Sequence, residues 1–412
     1  MLDIKYIREN VEKVKKGVES KNYDPAVIDK LLKLDGERKG LQVEVENLRS
    51  QRNKMAEEKN VEKGKEIKLK LQEKEPLFEK VEKNLSELIN QIPNLPFDNV
   101  PVGKSEKENV EVKKWGEPRK FEFTPKDHLK IGEYLSLLDF GDGAKVTGSQ
   151  FYFLYSDAVQ LELALIQYAF DLLSREGFTP VITPDLAKSR FYLGTGYLPK
   201  GKEAQTYTLE DEDLGLIATS EVTLAGKYAD DVIFENNLPL KYVGYSHCFR
   251  KEAGAYGKYS KGLYRVHQFT KVEMFIYCTP KDSEKYHQYI LQTEEKIYQD
   301  LGLPYRVIQM CTGELGAMAA RKYDIEVWMP GREDYGEVTS TSNCSDYQAR
   351  NLNIRYKGKD NKSDFVHMIN GTAIATSRTI LAILENYQNE DGTVSVPEVL
   401  RKWMGKEKIE KK

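Results

Sequence analysis

The sequence predicts an α+β protein: a long antiparallel helical hairpin, then a larger body on a mostly antiparallel sheet flanked by helices. Three observations predict it. Apolar residues recur every seven positions early in the chain. A second periodic run follows after a short polar break. Past residue 110, short β-branched and aromatic runs alternate with Gly, Pro and polar turns. The 412 residues suffice for roughly two or three domains. The expected division is 1–110 and 111–412, with the helical arm at about 28–92.

The elements follow in order. Ile4, Ile7, Val11, Val14 and Val18 share one helix face, with Asp3 as its cap. Leu34, Leu41, Leu48 and Met55 then form one heptad seam. Leu31, Arg38, Val45 and Arg52 form the other, which is imperfect because two of its members are arginine. Residues 59–66 interrupt the pattern. Ile67, Leu71, Phe78, Val81, Leu85, Leu88 and Ile92 resume it, so two helices fold back on each other. Pro76 is expected to kink the second helix or frame an irregular turn. A helix of this length reaches roughly 55 Å, and two helices make no globular core, so the hairpin is expected to project as an arm. Near its tip, Lys59, Lys63, Lys65, Lys68 and Lys70 stand against Glu62 and Glu66. Such a cluster is either a solvated face or a contact for a phosphate backbone.

Pro93, Pro96 and Pro101 mark a linker. A helix is expected over Ala158–Leu173, and strands over Lys241–Tyr245, Lys271–Tyr277, Tyr305–Met310, Asp324–Met329 and Tyr335–Ser340. Consecutive short strands favour antiparallel pairing over a doubly wound parallel sheet. Neither a GxxxxGK[ST] phosphate loop nor a strand–GxGxxG–helix unit is present.

Composition narrows the function classes. Lys plus Arg is 62 and Asp plus Glu 65, a net charge of −3 that excludes a polycation and an acidic tail protein. No run approaches the ~18 apolar residues of a membrane span. The N-terminus lacks the apolar core of a signal peptide, so the expected location is cytoplasmic. Cys248, Cys278, Cys311 and Cys344 form no CxxC pair, and read as reduced, buried thiols.

The chemistry concentrates in residues 249–273. Arg250 and Glu252 are two apart, on one face of an expected strand. A basic, glycine-rich loop turns the chain, and a second strand returns Arg265, Phe269 and Glu273 on one face. Guanidinium groups suit phosphate or carboxylate oxygens, and an aromatic plane suits a base. A surface salt-bridge network accounts for the same residues equally well. His247, His267 and His287 read as packing or surface residues.

Phe249, Arg250, Lys251 and Glu252, followed by Arg265 and Phe269, resemble motif 2 of the class II aminoacyl-tRNA synthetases. The longer string through Glu273 is similar to that of the seryl-tRNA synthetases. Arg175, Glu176, Gly177, Phe178, Val181 and Pro184 resemble motif 1, and Asn370 to Thr379 resemble motif 3 with its arginine, Arg378. Ala218 to Glu221 are similar to the family's serine-recognition loop, and Glu337 to Ser340 to its ATP and metal segment. Nearly the whole chain is covered, and the motifs stand in the right order.

The resemblance implies a class II synthetase-like sheet and a ligase. Such an enzyme activates L-serine with ATP to seryl-adenylate and pyrophosphate, then transfers the seryl group to the 3′ end of serine tRNA, with selenocysteine tRNA a further candidate. Carried over residue by residue, Arg250 meets the α-phosphate and the reacting carboxylate. Glu252 accepts from the adenine amino group, Phe269 and Arg378 sandwich the base, and Arg265 holds the pyrophosphate end. Val266, Val338 and Thr339 complete the ATP site. Glu337 and Ser340 hold Mg²⁺. Thr219, Ser220, Glu221, Arg250, Glu273, Asn370 and Thr372 are assigned to serine. The family usually has Ser at the position of Thr372. The arm lysines fall to tRNA backbone contact, motif 1 implies a homodimer, and neither zinc nor a membrane partner is expected. A relative loading a carrier protein would lack the arm, and a catalytically dead paralogue would lose the Arg250, Glu252, Arg265 and Arg378 set.

Overall fold

A computed structural model describes residues 1–197, 206–252 and 261–411. Most of the glycine-rich loop of the motif 2 string, residues 253–260, lies outside the described residues. The chain divides into two compact units, Met1–Leu95 and Pro96–Lys412.

The first unit is helical. Where the pattern predicts one N-terminal helix there are two, α1 (Ile4–Glu9) and α2 (Val11–Ser20). Asp3 caps α1, accepting from the N–H of Lys5 at 2.6 Å. Asn10 breaks the run, because its side-chain amide donates to the Tyr6 carbonyl (3.0 Å) and satisfies an end of α1. The hairpin follows as α3 (Ala26–Glu57) and α4 (Val61–Ile89). Its two helices are antiparallel. Ile28 and Leu31 of α3 cluster with Ile89 and Ile92, while Val45 clusters with Ile67 and Leu71. The break is shorter than the composition suggests: Asn60 caps α4 by accepting from the Lys63 N–H at 3.2 Å, so Gly64 is helical. Helix α4 also runs through Pro76 with no turn, held on both sides of it by Leu71 and Phe78 packed in the hairpin cluster. One seam arginine has a local partner, since Arg38 reaches Asp35 at 3.5 Å. Asp35 is buried, and Arg8 of α1 grips it with bonds of 2.6 and 2.9 Å.

The second unit is built on an eight-stranded sheet. Its strands are β1 (Val110–Trp115), β2 (Thr179–Ile182), β3 (Leu240–Phe249), β4 (Gln268–Cys278), β5 (Tyr305–Gln309), β6 (Arg321–Met329), β7 (Asp334–Asn343) and β8 (His367–Ala375). The order is β1-β5-β6-β7-β8-β4-β3-β2. All neighbours are antiparallel except β2 and β3. The five expected strands are all present, with α5 (Asp157–Arg175) covering the expected helix. The central strand β8 carries almost only buried residues, so it lacks the alternation that marks a half-exposed strand. Helices α6 (Glu221–Gly226), α7 (Ser283–Asp300) and α8 (Thr376–Asn386) complete the frame of the site.

Alternation along β8 separates the two faces of the sheet. Gly371 points toward α7, and a Cβ there would collide with Ile290 and Glu294. Its neighbours Asn370 and Thr372 point the other way, into an open cleft. The core behind the sheet gathers Met274 and Ile276 of β4, Ile290 and Ile297 of α7, and Ile380 and Leu384 of α8.

Candidate active site

The cleft encloses about 480 Å³ on the face of the sheet away from α7. Its nucleotide-like end is built from the motif 2 residues. Strand β3 stops at Phe249, so Arg250 and Glu252 follow it rather than lie on it, and Glu252 takes φ +46°. The left-handed turn still brings both side chains to the cleft. Arg265 likewise precedes β4, and it pairs with Glu252 at 2.6 Å. Phe269 and Glu273 share one face of β4 and line the cleft with Val266. The Arg250 guanidinium lies 5.1 Å from the centre of the Phe269 ring. His267 is a packing residue, 5.3 Å from the Phe151 ring, and its Nδ1 donates to the Arg250 carbonyl at 2.8 Å. With the Arg250 N–H donating to the His267 carbonyl (2.9 Å), the backbone that carries Arg250 is fixed twice.

Two β-bulges shape the wall. Glu337 and Ser340 are three apart on β7, a spacing that in a regular strand puts them on opposite faces. Glu326 pairs with Glu337 while Ile325 pairs with Thr339, so Val338 is an extra residue. Glu337 and Ser340 therefore both line the cleft, with Val338 and Thr339 contributing beside them. On β8 the pairing skips Ala373, which brings Thr372 and Ala375 to the same side. Arg378, in the first turn of α8, donates to the Glu337 carbonyl at 3.0 Å, pairs with its carboxylate at 3.2 Å and donates to the Tyr264 carbonyl at 3.1 Å. The cleft wall disfavours a charge on Glu337. Arg378, Lys322 and Arg250 outweigh that and bring its carboxyl down to about 2. It is ionised at neutral pH.

The opposite end is a pocket of carboxylates and hydroxyls. Glu221 opens α6 and accepts from Gln348 (2.7 Å), Asn370 (3.0 Å) and Tyr197 (2.9 Å). Burial and the nearby Glu273 push its carboxyl up to about 7. Thr372 donates to Glu273 at 3.0 Å, and Lys271 pairs with the same oxygen at 2.6 Å. Thr219 and Ser220, expected against serine, are fully buried and do not line the cleft. They lead into α6: Thr219 Oγ1 accepts from the Glu221 N–H at 3.2 Å, and Ser220 packs on Gly244 of β3. Their side chains thus shape the approach to Glu221 instead of facing the cleft. Lys59, Lys63, Lys65, Lys68 and Lys70 are all exposed, Lys70 in a 2.6 Å pair with Glu66.

The cleft also contains Tyr197, Tyr264, Lys271 and Lys322, none of which the sequence singled out. For Lys271 the signal was present, since it falls between Phe269 and Glu273 in the same alternation. Tyr197 carried none; only tertiary packing brings it to Glu221.

Guanidinium groups around an aromatic platform at one end, and paired carboxylates at the other, define a class II aminoacyl-tRNA synthetase core on an antiparallel sheet. Residues 207–387 match the tRNA synthetase class II core domain (G, H, P, S and T). Residues 1–96 match the seryl-tRNA synthetase N-terminal domain. The serine–tRNA ligase of Dictyoglomus turgidum is 52% identical over 100% of both chains. Seryl-tRNA synthetase from Pyrococcus horikoshii, solved with ATP, superposes with a TM-score of 0.93 at 43% identity, over 99% of each chain. The cytoplasmic serine–tRNA ligase of Naegleria fowleri, solved with AMP, gives 0.89 at 35% identity, covering 100% of this chain and 99% of that one. The chain belongs to the seryl-tRNA synthetase family. Its activity is that family's, the ATP-dependent joining of serine to tRNA.

Proposed function

We propose that this one cleft holds ATP and L-serine end to end, and that its own charges drive adenylate formation. The observation that carries the reading is the joining of Arg250, Arg265 and Arg378 with the Glu221 and Glu273 carboxylates in a single space of about 480 Å³. The ammonium of serine goes to Glu221 and Glu273, and its hydroxyl to Thr372 and Asn370. Its carboxylate then faces Arg250, which also meets the α-phosphate. Adenine lies between Phe269 and Arg378, with its amino group donating to Glu252. Arg265 takes the pyrophosphate end. The attacking carboxylate is already ionised, so no general base is needed, and positioning with charge stabilisation carries the step. Two of these cations are paired with carboxylates, Arg265 with Glu252 and Arg378 with Glu337. They are held in place ahead of the phosphates instead of being recruited by them.

Glu337 and Ser340 suit Mg²⁺: two hard oxygen donors on one face, one of them firmly ionised, with phosphate oxygens to supply the rest. When bound, the ion draws charge off the phosphates.

The exposed lysines of α4 suit the backbone of serine tRNA, read by shape. A homodimer fits the motif 1 resemblance, whose segment includes β2, an edge strand of the sheet. Cys248, Cys278, Cys311 and Cys344 are buried and none is in a disulfide, which fits a reducing compartment such as the cytoplasm. Among the described residues no helix is long and apolar enough to cross a membrane.

Pyrophosphate exchange run with each of the twenty amino acids, with and without bulk tRNA, tests the reading. Serine alone should support exchange, and without tRNA. Exchange with another amino acid, or an absolute requirement for tRNA, would overturn it.

A further inference from the structure

Lys271 has no part in the assignment above, yet it lines the cleft between Phe269 and Glu273. Its side chain is 7% exposed and Glu273's is 2%. An ammonium is buried at such cost only beside a partner, and here Nζ lies 2.6 Å from Glu273 Oε2 and 3.4 Å from Thr372 Oγ1. The surrounding titratable groups come from every element nearby: Glu221 from α6, Arg250 beyond β3, Cys248 on β3, Tyr197 before the cleft, and Glu294 on α7 behind the sheet. Burial raises the Cys248 thiol and the Tyr197 phenol, so both are neutral near pH 7; it raises the Glu294 carboxyl too, and that group lies behind the sheet and outside the cleft lining. Among the described residues, the amino-acid end is left with two carboxylates, Glu221 and Glu273, against Lys271, with Arg250 toward the phosphates.

We propose that Lys271 is a positioning residue for the amino acid: it neutralises Glu273 so that the neighbouring Glu221 stays ionised to receive the ammonium of serine. The proposal rests on the reading of Glu221 and Glu273 as the serine pocket. Without Lys271 two buried carboxylates share the amino-acid end of the cleft with no cation among the described residues paired to either, and a close pair of that kind retains a proton. Serine would then meet a neutral acid.

The test is the pH dependence of kcat/KM for serine in pyrophosphate exchange, from about pH 6 to 9.5. The wild type should rise through an acid limb near 7, where Glu221 titrates. Lys271→Met should move that limb up by about one unit, a roughly fivefold loss at pH 7 that approaches about tenfold at pH 6 and recovers at high pH. KM for ATP and the plateau kcat should hold, and Lys271→Arg should keep the wild-type limb. Should Lys271→Met fail to fold, Lys271→Gln is read in the same assay, and Glu221→Gln should erase the limb. An unmoved limb, or one that persists in Glu221→Gln, overturns the proposal. So does a fall in kcat at every pH with KM for serine unchanged, which would put Lys271 on the reacting phosphate. A wild type that shows no serine-dependent exchange refutes the pocket reading itself, a separate outcome.

Discussion

Thr372 offers the sharpest probe of the amino-acid pocket. Its hydroxyl donates to Glu273 Oε2 at 3.0 Å, and the residue is 7% exposed. Thr372→Val keeps the shape and removes only the donor. Glu273 keeps Lys271 at 2.6 Å but loses the hydroxyl that orients it toward the serine ammonium. A hydrogen bond to a charged group contributes about 1.5–3 kcal/mol. At about 1.4 kcal/mol per factor of ten, kcat/KM for serine should fall roughly 10- to 150-fold. KM for ATP should stay within about threefold, because the nucleotide end is untouched. Thr372→Ser is the companion variant. It keeps the hydroxyl and deletes one methyl, worth about 0.8 kcal/mol of contact. Serine should be used nearly as well, while exclusion of threonine weakens because a small site has gained room. Serine- and threonine-dependent pyrophosphate exchange reads both. Wild-type kcat/KM in Thr372→Val, or a matching rise in KM for ATP, would refute the assignment of Thr372 to the substrate hydroxyl.

Three further outcomes are expected. Arg250→Ala should cut serine-dependent exchange by about 10²–10³ without altering the melting temperature, as loss of a donor to developing charge does; exchange within tenfold of wild type would remove Arg250 from the mechanism. The triple variant Lys63→Glu, Lys65→Glu, Lys68→Glu should raise KM for tRNA and flatten the salt dependence of tRNA binding by roughly 0.7–0.9 per lysine, leaving exchange intact. Equal loss of both activities would count against a tRNA role for the hairpin. Asp35→Ala should destabilise the helical unit by about 1.5–3 kcal/mol, because Arg8, whose side chain is 30% exposed, loses its charge-assisted bonds to Asp35. Burial raises the Asp35 carboxyl, but Arg8, together with Lys39 and Arg38, more than offsets this and holds it low. The wild-type advantage is therefore full above the ordinary carboxylate range and shrinks as pH falls through the depressed native value, which acid melts can follow.

Much of this protein is written locally. Heptad spacing specifies the hairpin because apolar side chains seven apart fall on one face of a helix whatever lies elsewhere. Alternation specifies β4, and so the shared face of Phe269 and Glu273. Charge and residue type along 249–273 point to a phosphate and a base, and the order of short motifs points to the family. Local pattern fails where a partner distant in sequence decides the outcome. A strand buried on both faces shows no alternation, so β8 carries no periodic signature. Asn10 and Pro76 show opposite results from similar warnings: a side-chain bond breaks the first helix, while packing carries the second through its proline. Bulges at Val338 and Ala373 exist only in strand pairing; without the first, Glu337 and Ser340 would face opposite sides of the sheet, and without the second so would Thr372 and Ala375. The same holds for the charge on Glu221. The sequence supplies a carboxylate, but burial against Glu273, Lys271 and Tyr197 sets how tightly it keeps its proton, since electrostatic energy depends on distance through space and not along the chain.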